Sequence, residues 1–152
     1  MMWTGRSMQG KMEEPPMVQD FKTIDDIREF FVKDRFATDC MGARIESYDF
    51  QTGEAIATLE VQERHLNGHG IVMGGVYFTL ADFALAACCN VGQEPTSSVN
   101  SSINIMSACK GTKLIARANP DRSGRRLGFY TIDVFDDLGT HCARMTATCI
   151  RK

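Results

Sequence analysis

"HLNGHGIVMGGVYFTLADFALAACC", residues 65–89, is the stretch on which the fold turns. From about Gly74 to Asn90 its apolar side chains recur at helical spacing. Tyr77, Leu80, Ala81, Ala84, Leu85 and Cys88 form one stripe, while Phe78, Ala86 and Cys89 make much of the other side apolar too. A helix that is hydrophobic nearly all round is a buried one. Yet Asp82 stands inside it, the sole Asp, Glu, Lys or Arg between Arg64 and Glu94.

Toward the N-terminus, "EAIATLEV" and "ARIESYDF" are β-like runs joined at Gln51-Thr52-Gly53, a hairpin in which Ala55, Ala57, Leu59 and Val61 share a face. Before them, "TIDDIREFFVKDRF" has Thr23 as N-cap, acids in the first turn, and Ile24, Ile27, Phe30 and Phe31 at helical spacing. Beyond the central helix come four β-like runs: "SSVNSSINIM", "TKLIARAN", "RLGFYTIDVFD" and "HCARMTATCIR". Their turns are marked by Lys110-Gly111, Asn119-Pro120 to Gly124, and Asp136 to Gly139. The order predicts an α+β fold, one antiparallel sheet wrapped around one long central helix. Such a sheet has open edges and one helix cannot cover it, so pairing with a second copy is expected.

Composition sets the bounds. The 152 residues, 43% hydrophobic and 24% charged with a formal net charge of -2, suit one globular domain assigned to residues 21–152, after a flexible leader over residues 1–20. No Lys/Arg run offers a groove for nucleic acid, and no segment is apolar enough to span a membrane. Six cysteines lack any C-x-x-C spacing and read as small buried hydrophobes in a reducing cytoplasm. His65 and His69 are four apart in a Gly/Asn loop with no third ligand nearby, so no metal is expected. His141 opens the last strand as an exposed residue. No G-x-S-x-G elbow or phosphate loop occurs.

The quoted stretch resembles the core motif of hotdog-fold acyl-CoA thioesterases of the phenylacetic-acid-degradation (PaaI) type. That pattern is N-x-x-G-x-x-H-G-G, followed by an Asp on the helix fifteen residues after the Asn. Asn67, Gly70, Gly74, Gly75 and Asp82 stand at those places, and Met73 stands where the His usually precedes the Gly pair. The resemblance covers roughly residues 40–150 and implies a hotdog domain acting on acyl-CoA. It implies no cofactor beyond the coenzyme A of the substrate, and assembly as a tetramer from two dimers.

Thioester hydrolysis needs a group to activate water or attack directly, donors for the developing oxyanion, and a slot for the acyl chain. By resemblance, the Gly74 N–H at the helix start polarises the carbonyl, Gly75 keeps the approach open, and Asn67 holds the carbonyl or orients water. Asp82 is the base or nucleophile, its apolar neighbours Phe78, Phe83 and Ala86 raising its proton affinity. Its alternative is a bond to a neighbouring strand's backbone. Asp82 lies seven residues beyond Gly75, roughly 10 Å of helical rise, more than an Asp side chain spans. The site is therefore expected to be composite, with Gly74 and Asn67 from one subunit and Asp82 from its partner.

Ser98 matches a position where relatives often place a hydroxyl, and reads equally as an ordinary strand residue. Arg125 and Arg126 are candidates for the phosphates of coenzyme A, or a solvated turn. Tyr77, Phe78 and Phe83 suggest a slot for an aromatic or medium-length acyl group. Two other readings compete: a non-catalytic acyl-CoA binder, which Met73 favours, and a hotdog dehydratase, for which His69 and Asp82 would be the acid–base pair.

Overall fold

A computed structural model describes residues 19–152, so nearly all of the leader assigned to 1–20 lies outside the described residues. Helix α1, Ile24–Phe31, begins at a full capping box. The Asp26 N–H donates to Thr23 Oγ1 (3.3 Å), while the Thr23 N–H donates to the Asp26 carboxylate (2.8 Å). It buries Ile27 and Phe31 and stops there, earlier than the sequence pattern suggests. Lys33, Asp34 and Arg35 give it no further apolar face. The chain instead turns back through a π-type turn, Phe36–Cys40, in which the Met41 N–H reaches the Phe36 carbonyl (3.2 Å).

Strands β1 (Arg44–Tyr48) and β2 (Ala55–Glu60) form the expected hairpin, with Gly53 at φ 79° in its turn. Helix α2, Gly74–Asn90, follows at the expected boundaries. It leads to β3 (Thr96–Ile105), β4 (Lys113–Ser123), β5 (Leu127–Asp136) and β6 (His141–Arg151). All pairings are antiparallel, in the spatial order β1-β2-β4-β5-β6-β3, so β1 and β3 are the edges.

The core lies between α2 and the inner face of the sheet. Alternation sorts the strands: Leu114, Ala116 and Ala118 of β4 and Tyr130, Ile132 and Val134 of β5 point inward. Many facing residues are alanines, including Ala57, Ala116 and Ala118 on the strands and Ala81 and Ala84 on the helix, all fully buried. Small side chains on both surfaces let α2 lie close to the sheet. Among the described residues no helix is long and apolar enough to cross a membrane, and no cluster of three His, Cys, Asp or Glu forms.

Three local readings change. The turn expected from Asn119 is shorter, because β4 runs on to Ser123 with Pro120 opposite Tyr130. Pairing with β2 ends at Ala118, so the missing Pro120 N–H breaks no ladder on that side. His141 is half-buried, its Nε2 2.7 Å from the Asp133 carboxylate and its ring stacked on Phe135. Four of the cysteines are buried as expected, but Cys40 is exposed and Cys109 half-buried.

Two buried titratable groups tie loops to this frame. Asp136, 2% exposed, accepts the backbone N–H groups of Lys110 (2.8 Å), Gly111 (3.1 Å), Leu138 (3.1 Å) and Thr140 (2.7 Å). Burial alone would raise its pKa, but these donors outweigh it and hold the carboxyl down at about 2. His65, equally buried, takes the Gln62 N–H on Nδ1 (2.9 Å) and lies with Nε2 2.9 Å from the Met41 carbonyl. Both bonds form at once only in the neutral ring with its proton on Nε2. Burial pushes this imidazole below the usual histidine range, and the Met41 carbonyl pulls weakly the other way.

Asp136→Asn is expected to lower unfolding stability by about 2 kcal/mol in a urea titration at pH 7. The contribution of Asp136 is present above the ordinary carboxylate range and is lost as pH falls toward 2. His65→Gln is expected to cost about 1–3 kcal/mol. The gap from the parent is complete above the ordinary histidine pKa and narrows as pH falls below it, which urea titrations at pH 7.5 and 5 would read.

Candidate active site

The loop before α2 is built to deliver the helix start. The Met73 N–H donates to the His65 carbonyl (2.9 Å), and Leu66 bridges Val72. Between them Asn67 closes a tight turn, its Oδ1 accepting the N–H groups of His69 (2.9 Å) and Ile71 (3.2 Å). Those two donors fix the amide: the oxygen faces the loop, and Nδ2 is presented outward as a donor. Gly70, at φ 72°, supplies the left-handed step that the turn requires.

At Gly74 the helix opens without a side-chain cap, since Met73 holds the N-cap position. Among the described residues, the N–H groups of Gly74 and Gly75 have no acceptor outside the helix, and no helical carbonyl lies four residues back. Two backbone donors at the positive end of a long helix dipole are thus free for an oxyanion. A Cβ on Gly74 would stand 3.0 Å from Ile105 Cδ1, and one on Gly75 3.1 Å from Met73 Cε. The rim around them is apolar, with Ile71, Met73, Ile105 and Met106 exposed.

Two turns further along α2, Asp82 faces a hollow of about 310 Å³ lined by Phe36, Ala37, Thr79, Phe83 and Ala86, with Asp34 and Arg35 completing it. Phe83 and Ala86 are the expected neighbours; Phe78 does not line the hollow. The residue is exposed in the single chain, more open than its sequence neighbours suggest, yet burial still raises the Asp82 carboxyl above the usual range. Among the described residues nothing donates to it, so the alternative of a bond to a strand's backbone finds no support. Tyr77 is not part of an acyl slot: it is buried, and its Oη accepts the Cys109 N–H (2.9 Å).

The outer stripe of α2 carries Gly75, Phe78, Asp82 and Ala86, left wholly or partly uncovered by the chain's own sheet. Asn67 sits in the loop that leads to Gly74 and Gly75 at the helix start, whereas Asp82 is about 10 Å along the helix axis from Gly75. Ser98 is exposed on edge strand β3, paired with Cys149, whose side chain is buried beneath α2; Ser98 therefore points to the helix-bearing face. Arg125 and Arg126 are exposed in the β4–β5 turn, at the end of the sheet where α2 finishes, remote from Gly74 of the same chain. Sequence patterns gave no sign that Asp34, Arg35 and Phe36 join Asp82. Their placement depends on how the chain folds back after α1.

Comparison with known proteins agrees with this architecture. The profile of the Thioesterase superfamily matches residues 69–143. A Deinococcus radiodurans protein is 38% identical over 76 residues, 50% of this chain and 52% of its own length. The Escherichia coli acyl-coenzyme A thioesterase PaaI is 32% identical over 91 residues, 59% of this chain and 65% of its own. The chain thus spans about half to two thirds of these relatives. The solved structure of E. coli PaaI covers 85% of this chain and 93% of its own at TM-score 0.77 and 25% identity. A Streptococcus mutans protein solved bound to acetyl CoA covers 71% of this chain and 90% of its own at TM-score 0.65 and 26% identity. That profile runs from the loop before α2 to the start of β6, so over this half the chain is similar to the Thioesterase superfamily, and its backbone shares the hotdog architecture of E. coli PaaI.

Proposed function

We propose that the protein hydrolyses acyl-CoA thioesters, releasing a free acid and coenzyme A. The observation that carries this reading is the pairing of unspent donors at Gly74 and Gly75 with an unpartnered carboxylate, Asp82, on the same uncovered face of α2. The likeness to a PaaI thioesterase and to an acetyl-CoA-bound protein supports the substrate class.

The two halves of the chemistry come from two chains. Phe78 is four residues from Gly74 and four from Asp82, on one helical face, and is exposed. Two α2 helices running antiparallel about a two-fold axis level with Phe78 set Gly74 of each opposite Asp82 of the other. Phe78 then packs on its symmetry mate. The free edge of β3, which exposes Val99 and Ile105 with Met106 just beyond its end, offers the matching strand-to-strand contact. A tetramer of two such dimers is the assembly this reading carries forward.

In that composite site the thioester oxygen lies against the Gly74 N–H, and Asn67 Nδ2 supplies a second donor or holds the water. Charge developing on the oxygen as the tetrahedral intermediate forms is met by dipoles already oriented. Asp82 takes the proton of the attacking water, its raised proton affinity suiting a base near neutral pH; direct attack by the carboxylate uses the same placement. Ser98 lies on the face from which it can hold that water. Arg125 and Arg126, far from Gly74 of their own chain, are offered to the phosphates of coenzyme A. A binding-only protein would use the same pocket, but an unpartnered carboxylate beside the carbonyl favours hydrolysis.

A thiol-release screen over short, medium and aryl acyl-CoAs tests the reading. Asp82→Asn is expected to lower kcat on the best ester about 100-fold or more with the oligomer unchanged; undiminished turnover would overturn the mechanism. Asn67→Asp keeps acceptors for the His69 and Ile71 N–H groups but loses the donor, so kcat is expected to fall about 100-fold with melting temperature preserved.

A further inference from the structure

The hollow that holds Asp82 contains a second carboxylate. Asp34, in the turn after α1, lines it together with Phe36 and Ala37. Its backbone carbonyl caps the next turn, accepting the Thr38 N–H (3.0 Å), but its side chain has no partner among the described residues. The one cation in the hollow, Arg35, is engaged elsewhere, its guanidinium paired with Asp39 on the solvent side. Two carboxylates therefore share one partly apolar pocket with no counter-charge committed to either.

Building on the thioesterase reading, we propose that Asp34 is a positioning and specificity residue: its charge strengthens Asp82 as a base and turns away acyl groups that end in an anion. Like charges facing one partly apolar hollow repel, so protons bind the pair more tightly than either alone. Burial raises both carboxyls; the charge of Asp82 raises Asp34 further, which places the two carboxylates within electrostatic reach of each other. The other charged or titratable groups about Asp82 are Arg35 in the same hollow and Cys149 from β6, which feels the Asp82 charge through the core. The substrates implied are thioesters of uncharged acyl groups. A terminal carboxylate of a dicarboxylic acyl group would be a third negative charge in the hollow.

The test is the pH profile of kcat/KM for the parent, Asp34→Asn and Asp34→Glu, measured on a neutral acyl-CoA and on glutaryl-CoA. In Asp34→Asn the acid limb is expected to move down by about half to one pH unit. Its glutaryl-to-neutral ratio should rise about tenfold, and Asp34→Glu should restore both. A superimposable limb and ratio in Asp34→Asn, with Asp82→Asn still inactive, overturns the role of Asp34 and leaves the thioesterase reading standing. Absence of hydrolysis of any ester by the parent overturns that reading itself. A purely structural role would lower melting temperature without moving the limb, and counts against the proposal.

Discussion

The close seating of α2 on an alanine-lined sheet is the constraint from which the rest follows. Ala57, Ala116 and Ala118 below and Ala81 and Ala84 above leave no room for a second layer between helix and strands. Six strands can wrap one side of one helix and no more. An outer stripe is therefore left over, and it carries Gly75, Phe78, Asp82 and Ala86. Fold and site are consequences of one packing arrangement, since the stripe the sheet cannot reach is also the one that holds the acid.

Polar groups meet two different fates in this molecule. Asp136 and His65 are buried and fully paired, and they hold turns in place. Among the described residues, Asp82, Asp34 and the Gly74–Gly75 donors have no partners and lie at the surface of the same framework. Unpaired polar groups near apolar surface lower stability, and a fold that concentrates them along one helical face has placed its strain where a ligand can relieve it.

Much of this architecture is legible in the residues themselves. The central helix runs over Gly74–Asn90 as its apolar run suggests, because a Gly pair opens it and a continuous hydrophobic surface leaves no competing conformation. The strands follow from two-residue alternation. Pro120 misleads, because proline interrupts a strand only where its N–H is needed, and the end of β2 pairing cannot be read locally. Asn67, Gly74 and Asp82 are candidates that the family resemblance points to, whereas the approach of Asp34 and Phe36 to Asp82 has no sequence signal, since it arises only where the chain reverses beyond α1. The cradle around Asp136 is hidden for the same reason, since its donors come from two turns that meet only in three dimensions.

The uncapped start of α2 has a bearing on the unliganded protein. A seventeen-residue helix whose leading amides answer to no side chain keeps part of its electrostatic balance open. Whatever negative or strongly polarised oxygen settles there completes the helix as a capping serine would elsewhere. Occupancy and folding are then linked quantities, and the helix reaches its full stability only with a guest.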